Sequence, residues 1–192
     1  MHNSNNESII ETIRKLDSQI ARTRTDYYQV LKEPLNDLEI NALEEKYKIK
    51  IPTDLKLLYK WKNGQNHNSF ESFVNNSMFI PLEETLQIAA ENTSMIGTDF
   101  EIENWWNEKW LPIFHNGGGD YICYDCHGTF TENKGQLIEF WHGDNDRNVI
   151  SLNLETFISR LTHYYEITEQ KDFDEYFEIE SIDNYPKRFI VE

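Results

Sequence analysis

The stretch from Trp110 to Asp125, Trp-Leu-Pro-Ile-Phe-His-Asn-Gly-Gly-Gly-Asp-Tyr-Ile-Cys-Tyr-Asp, leaves the chain little choice of local structure. Trp110 to His115 are mostly large and apolar, Asn116 to Gly119 tolerate positive φ, and Tyr121 to Asp125 return as a second apolar run. That is the pattern of a β-hairpin. Gly117, Gly118 and Gly119 in succession suit either a backbone cradle for phosphate or a turn that admits no Cβ. The turn lacks the Gly-Lys-Ser/Thr ending of a phosphate-binding loop and joins two strands instead of opening a helix. It therefore reads as a structural turn that sets the register of a sheet, with Asp120 bonding the turn amides and Asp125 ending the second strand.

Helical signals precede the hairpin. Ile9, Ile13, Leu16, Ile20, Tyr27 and Leu31 recur at helical spacing and predict an amphipathic helix from about Glu7 to Lys32, ended by Pro34. Asn36 and Glu39 form a capping box for a second helix to Tyr47, with Leu38, Leu43 and Tyr47 as its apolar face. A third begins at Ile51-Pro52, carries Leu55, Leu58, Tyr59 and Trp61, and stops at Asn63-Gly64. A polar loop, a short strand at Met78 to Ile80 and a fourth helix from Leu82 to Ala90 follow, with Glu83 and Glu84 in its first turn. After the hairpin, Gly135 to Trp141 and Asn148 to Leu152 read as strands. Asn153 caps a helix to about Tyr164. The tail from Glu166 has nine acids against three bases, yet Phe173, Tyr176, Phe177, Ile179 and Ile182 recur at mostly helical spacing, so it is expected to pack.

Helices first, then antiparallel strands, then a closing helix is the α+β layout. The expected fold is a single domain with an antiparallel or mixed sheet of about four to six strands flanked by helices. Residues 1–34 form an N-terminal helical extension, 35–165 the domain, and 166–192 an acidic aromatic C-terminal extension. No run approaches the roughly 18 apolar residues of a membrane span. The N-terminus has neither the basic start nor the apolar segment of a secretory signal, so the cytoplasm is the expected compartment.

Candidate chemistry fails on context. Cys123-Tyr-Asp-Cys126-His127 has the Cys-x-x-Cys-His spacing of haem attachment, and Cys-x-x-Cys also suits zinc or redox work. A structural zinc needs four ligands, and only His115, His127 and His142 stand nearby, without a second cysteine pair. Asp144-Asn-Asp146-Arg-Asn148 with Glu155 approaches a calcium loop, but Val149 occupies the position that requires glycine. Asp120 and Asp125 lack a His, Ser or Lys placed by a recognisable motif. No catalytic residue, metal or cofactor is assigned.

Charge is more informative. The formal net charge is −16, and between Gly64 and Glu108 there is no Lys or Arg, while Glu71, Glu83, Glu84, Glu91, Asp99, Glu101, Glu103 and Glu108 supply eight negative charges. Such a chain is repelled by nucleic-acid phosphates and anionic lipid, so its charged partner is expected to be a basic protein. Trp105 and Trp106 sit among these acids, and rings beside carboxylates suit a surface that grips such a partner. The other reading places both rings in the core and leaves the acids solvated.

The order of these signals resembles the SUKH superfamily. The matching pieces are Ile51-Pro52-Thr-Asp-Leu55 through Tyr59 to Asn63-Gly64, Ile80-Pro81-Leu82, and Trp106 with Trp110-Leu-Pro112-Ile113. Asn116-Gly117-Gly118-Gly119-Asp120, Gly135-Gln136 and the Leu154 to Leu161 helix complete the set. Members include a fungal regulator of cell-wall synthesis and many bacterial immunity proteins of polymorphic toxin systems. The resemblance implies a binding scaffold and not an enzyme, neutralising a cognate toxin, with a basic nuclease suited to the charge. Glu101, Glu103, Trp106, Glu108, Asp144 and Asp146 are the expected partner-binding residues, on a monomer or weak homo-oligomer. The alternative is a regulatory or scaffold module of a larger assembly that uses the N-terminal helix and acidic tail.

Overall fold

The computed structural model describes residues 2–168 (2–6 as backbone), 179 and 181–192. Their helices are α1 (His2–Thr23), α2 (Thr25–Val30), α3 (Asp37–Tyr47), α4 (Thr53–Tyr59), α5 (Leu82–Ser94) and α6 (Leu154–Ile167). The strands are β1 (Met78–Phe79), β2 (Trp110–His115), β3 (Tyr121–Asp125), β4 (Gln136–Phe140), β5 (Asp146–Ser151) and β6 (Lys187–Ile190). They form one antiparallel sheet in sequence order, β1 to β6, so the α+β expectation holds.

Register decides which side chains share a face, because directly opposed residues point the same way. Tyr121 opposes Phe140, Cys123 opposes Ile138 and Asp125 opposes both Trp110 and Gln136. This face is covered by the segment before β2: Trp106 meets Phe140 edge-on at 5.1 Å and Trp110 at 5.8 Å between ring centres. The other face carries Phe114, Ile122 and Tyr124, with Phe114 5.9 Å from Phe157 of α6. Both edges are blunted against further strand pairing, β1 by its two-residue length and β6 by Lys187 and Arg188.

The caps explain several boundaries. Asn36 Oδ1 accepts the amides of Leu38 and Glu39 while Glu39 accepts the Asn36 amide, so the capping box of α3 is complete. Pro52 stands at the N-cap of α4. Gly64, past the end of α4, has φ +72°, and a Cβ there would lie 2.4 Å from Pro81 N. The chain crosses itself at this point, and only glycine allows so close an approach. Gly135 enters β4 with its amide on the Asp125 carbonyl at 2.7 Å.

Three expectations are corrected. The first helix is not continuous to Lys32: it breaks at Arg24 (φ −133°, ψ 60°), whose guanidinium donates to Ser72 O at 2.8 Å and Tyr165 Oη at 3.0 Å. That turn sends Tyr27 into the core. On α3, Leu38 is 81% exposed, and Ile40 and Glu44 are buried in its place, because the helix docks through its 40/44 edge. The fourth helix runs on to Ser94. The tail also contributes a strand that no sequence signal announced: 187–190 pair with β5, and Ile179 and Tyr185 pack against the core, while Phe173, Tyr176 and Phe177 lie outside the described residues.

The N-terminal helix shares the core. Ile9, Ile13, Leu16 and Ile20 of α1 are buried in the same cluster as Phe157, Leu161 and Tyr165 of α6. No helix among the described residues is long and apolar enough to cross a membrane.

Candidate functional site: loops at one end of the sheet

The hairpin turn organises itself through Asn116. Asn116 Oδ1 accepts the amides of Gly118 at 2.7 Å and Asp120 at 3.2 Å, while Gly117 and Gly119 adopt φ +80° and +98°. The expectation that Asp120 bonds the turn amides is therefore corrected. Asp120 Oδ1 reaches the next turn, accepting the His142 amide at 2.9 Å and meeting its Nδ1 at 2.8 Å. Burial raises the Asp120 pKa, but the bonds from His142 and Asn116 outweigh it and hold the carboxyl below its ordinary value.

A second tether starts from the turn 141–146. Arg147 is fully buried, and its guanidinium bonds main-chain carbonyls: Trp105 through Nε (3.1 Å) and Nη2 (2.8 Å), and Asp144 (2.7 Å), Asp146 (2.6 Å) and Trp141 (3.4 Å) through Nη1. Its carbon centre lies 4.8 Å from the Trp105 ring and 4.7 Å from that of Phe140. Burial lowers its pKa to about 10, which still leaves it charged at neutral pH. One internal cation thus joins the acidic segment 99–108 to the acidic turn 141–146.

Glu101 and Glu103 on the first segment and Asp144 on the second are exposed, and Asp146 is half-buried. Glu108 stands apart, toward the end of the sheet where Trp110 opposes Asp125, and pairs with Lys109 at 3.0 Å. Trp106 is 2% exposed, its indole N–H on Thr93 Oγ1 at 3.3 Å, so it supports the segment from below. Trp110 is likewise enclosed, and the Pro112 carbonyl accepts from Thr85 Oγ1 at 2.7 Å. Arg147 escaped sequence reasoning because a lone arginine in a polar turn carries no periodic signal.

The other candidates are accounted for structurally. Cys123 is buried and Cys126 half-buried, and burial pushes the Cys123 thiol well up and that of Cys126 to about 12. Burial therefore disfavours the thiolate form at both positions. Val149 lies buried in β5, so the residues after Asp146 run as a strand and do not wrap an ion. Asp125 accepts from the amides of His127, Gly128 and Thr129 and from Gln136 Nε2, the role of a loop organiser.

The family model for SMI1 / KNR4 (SUKH-1) matches residues 34–160, from Pro34 to the middle of α6. The chain belongs to the SMI1 / KNR4 family (SUKH-1). The SUKH-1 match takes in α3 to α5, β1 to β5 and both tethered loops, and leaves out α1, α2 and β6. SUKH-1 membership supports a toxin-immunity or regulatory role exercised through protein partners, in a family whose members are generally not enzymes. No curated protein matches the chain.

Proposed function

We propose that this protein is an immunity protein that binds a cognate bacterial toxin domain, a basic nuclease by preference, and covers its active surface. The observation that carries the reading is the Arg147 tether, which presents Glu101, Glu103, Asp144 and Asp146 from two loops on one fixed frame. Fixed carboxylates steer a basic partner and lose little entropy when it docks. Glu108, beside Lys109, belongs to the periphery. Inhibition is steric and electrostatic, and no chemical step is asked of the chain. The burial of α1 weighs against the scaffold reading, which needs that helix free to engage another partner.

The test is capture of purified basic nuclease toxin domains at rising salt. The expected complex weakens steeply with salt, blocks nuclease activity, and is lost when Glu101, Glu103 and Asp144 are together changed to Lys. Binding that ignores both salt and this charge reversal overturns the acidic-face mechanism.

A further inference from the structure

Trp141 has an unusual combination of a held main chain and an open side chain. Its carbonyl accepts from Arg147 Nη1 and from the Asp144 amide, both at 3.4 Å, and the next residue, His142, is tied to Asp120. Its side chain nevertheless stands 40% exposed beside a groove of about 430 Å³ whose walls include Phe140, Ile150 and Tyr185. From Trp141 to Asp146 the turn contains two carboxylates and neither Lys nor Arg. A large ring on a held backbone, in a turn of one sign of charge beside a groove lined by Asp120 and Glu139, with Lys187 5.3 Å from the ring of the groove wall Tyr185, is the arrangement of an interface anchor, because the ring supplies buried area while only two side-chain torsions are frozen.

We propose that Trp141 is the apolar anchor of the acidic face, and that the partner it fits is a basic protein segment presenting a large apolar side chain flanked by Lys or Arg. The proposal rests on the acidic-face reading above and divides its labour. The carboxylates govern encounter and salt dependence, and Trp141 governs how long the complex lasts. Nucleic acid is excluded as the occupant by the surrounding charge.

The experiment uses two fluorescein-labelled, lysine-rich peptides of equal length and charge, one with Leu-Phe-Leu at its centre and the other with Ser-Gly-Ser. Anisotropy with the full chain is expected to show the apolar peptide binding about tenfold tighter. W141A removes that difference, W141F keeps part of it, and the salt slope stays unchanged in both. E101K/E103K lowers the affinity for both peptides and flattens the slope. Equal affinities in the native chain, or a difference that survives W141A, overturn the anchor and leave the acidic face standing. Failure of both peptides to bind overturns the two together. Self-association of the native chain that W141A abolishes, read by sedimentation, assigns the ring to a second copy and also overturns the proposal.

Discussion

Arg147 spends two of its N–H groups, Nε and Nη2, on one acceptor, the carbonyl of Trp105, at 3.1 and 2.8 Å. The remaining bonds run to the turn on its own strand, so two loops distant in sequence share one buried cation. Changing Arg147 to Met leaves these carbonyls without their donors and is expected to cost on the order of 3 kcal/mol. Lys keeps the charge but not the fork and should recover only part. Urea unfolding measures the loss. Hydrogen exchange should show the Trp105 amide, bonded to Ile102 O at 3.0 Å, deprotected first.

Leu16 is fully buried against the core that α6 closes. Leu16→Ala should destabilise by roughly 2–5 kcal/mol, the range for a leucine cavity. Removing residues 1–33 should expose Leu161 and Tyr165 of α6 and cause loss of cooperative thermal unfolding. A truncated chain that melts like the full one would show that α1 is dispensable packing.

Glu44 sets a pH dependence. Burial raises its pKa, but the Ile51 amide (2.7 Å), Lys56 (2.9 Å) and Lys50 (3.3 Å) outweigh that and leave it lowered from 4.5. The folded carboxyl holds its proton less tightly than the unfolded one. Its contribution is therefore complete above about pH 4.5 and is lost as pH falls through the folded pKa. Unfolding monitored from neutral to acid pH should show a falling limb below that point, and Glu44→Gln should flatten the limb while lowering stability at neutral pH.

Asp125 accepts four hydrogen bonds with no exposed surface. Asp125→Asn turns one of the two acceptor oxygens into a donor facing other donors, at an expected cost of about 2–3 kcal/mol. The loop 126–135 should lose protection before the hairpin does, and partner binding at the opposite end should persist in the folded fraction.

Much of the fold could be read in advance because its signals are local. The capping box of Asn36 and Glu39, Pro52 and Gly64 around α4, the hairpin from Trp110 to Asp125 and the Asn153 cap each act within a few residues, so their chemistry is visible in the string of letters. The misread features lack that property. Arg24 breaks a helix because Ser72 and Tyr165 await its guanidinium, and Leu38 points to solvent because α3 docks on a different edge. The tail strand β6 has no signal of its own beyond Phe189 and Ile190; its partner β5 makes it a strand.

For the candidate site the division is sharper. The sequence by itself determined that this chain is acidic, that one long segment carries a single sign of charge, and that a glycine-rich turn joins two strands, since composition and turn chemistry need no partners. Only the tertiary structure decided that Trp106 faces inward, that Trp141 faces outward, and that Glu101 and Glu103 share a frame with Asp144 and Asp146. The reason is physical: a buried guanidinium must find acceptors wherever the fold brings them, and here they are main-chain carbonyls, which every residue possesses and no sequence pattern distinguishes.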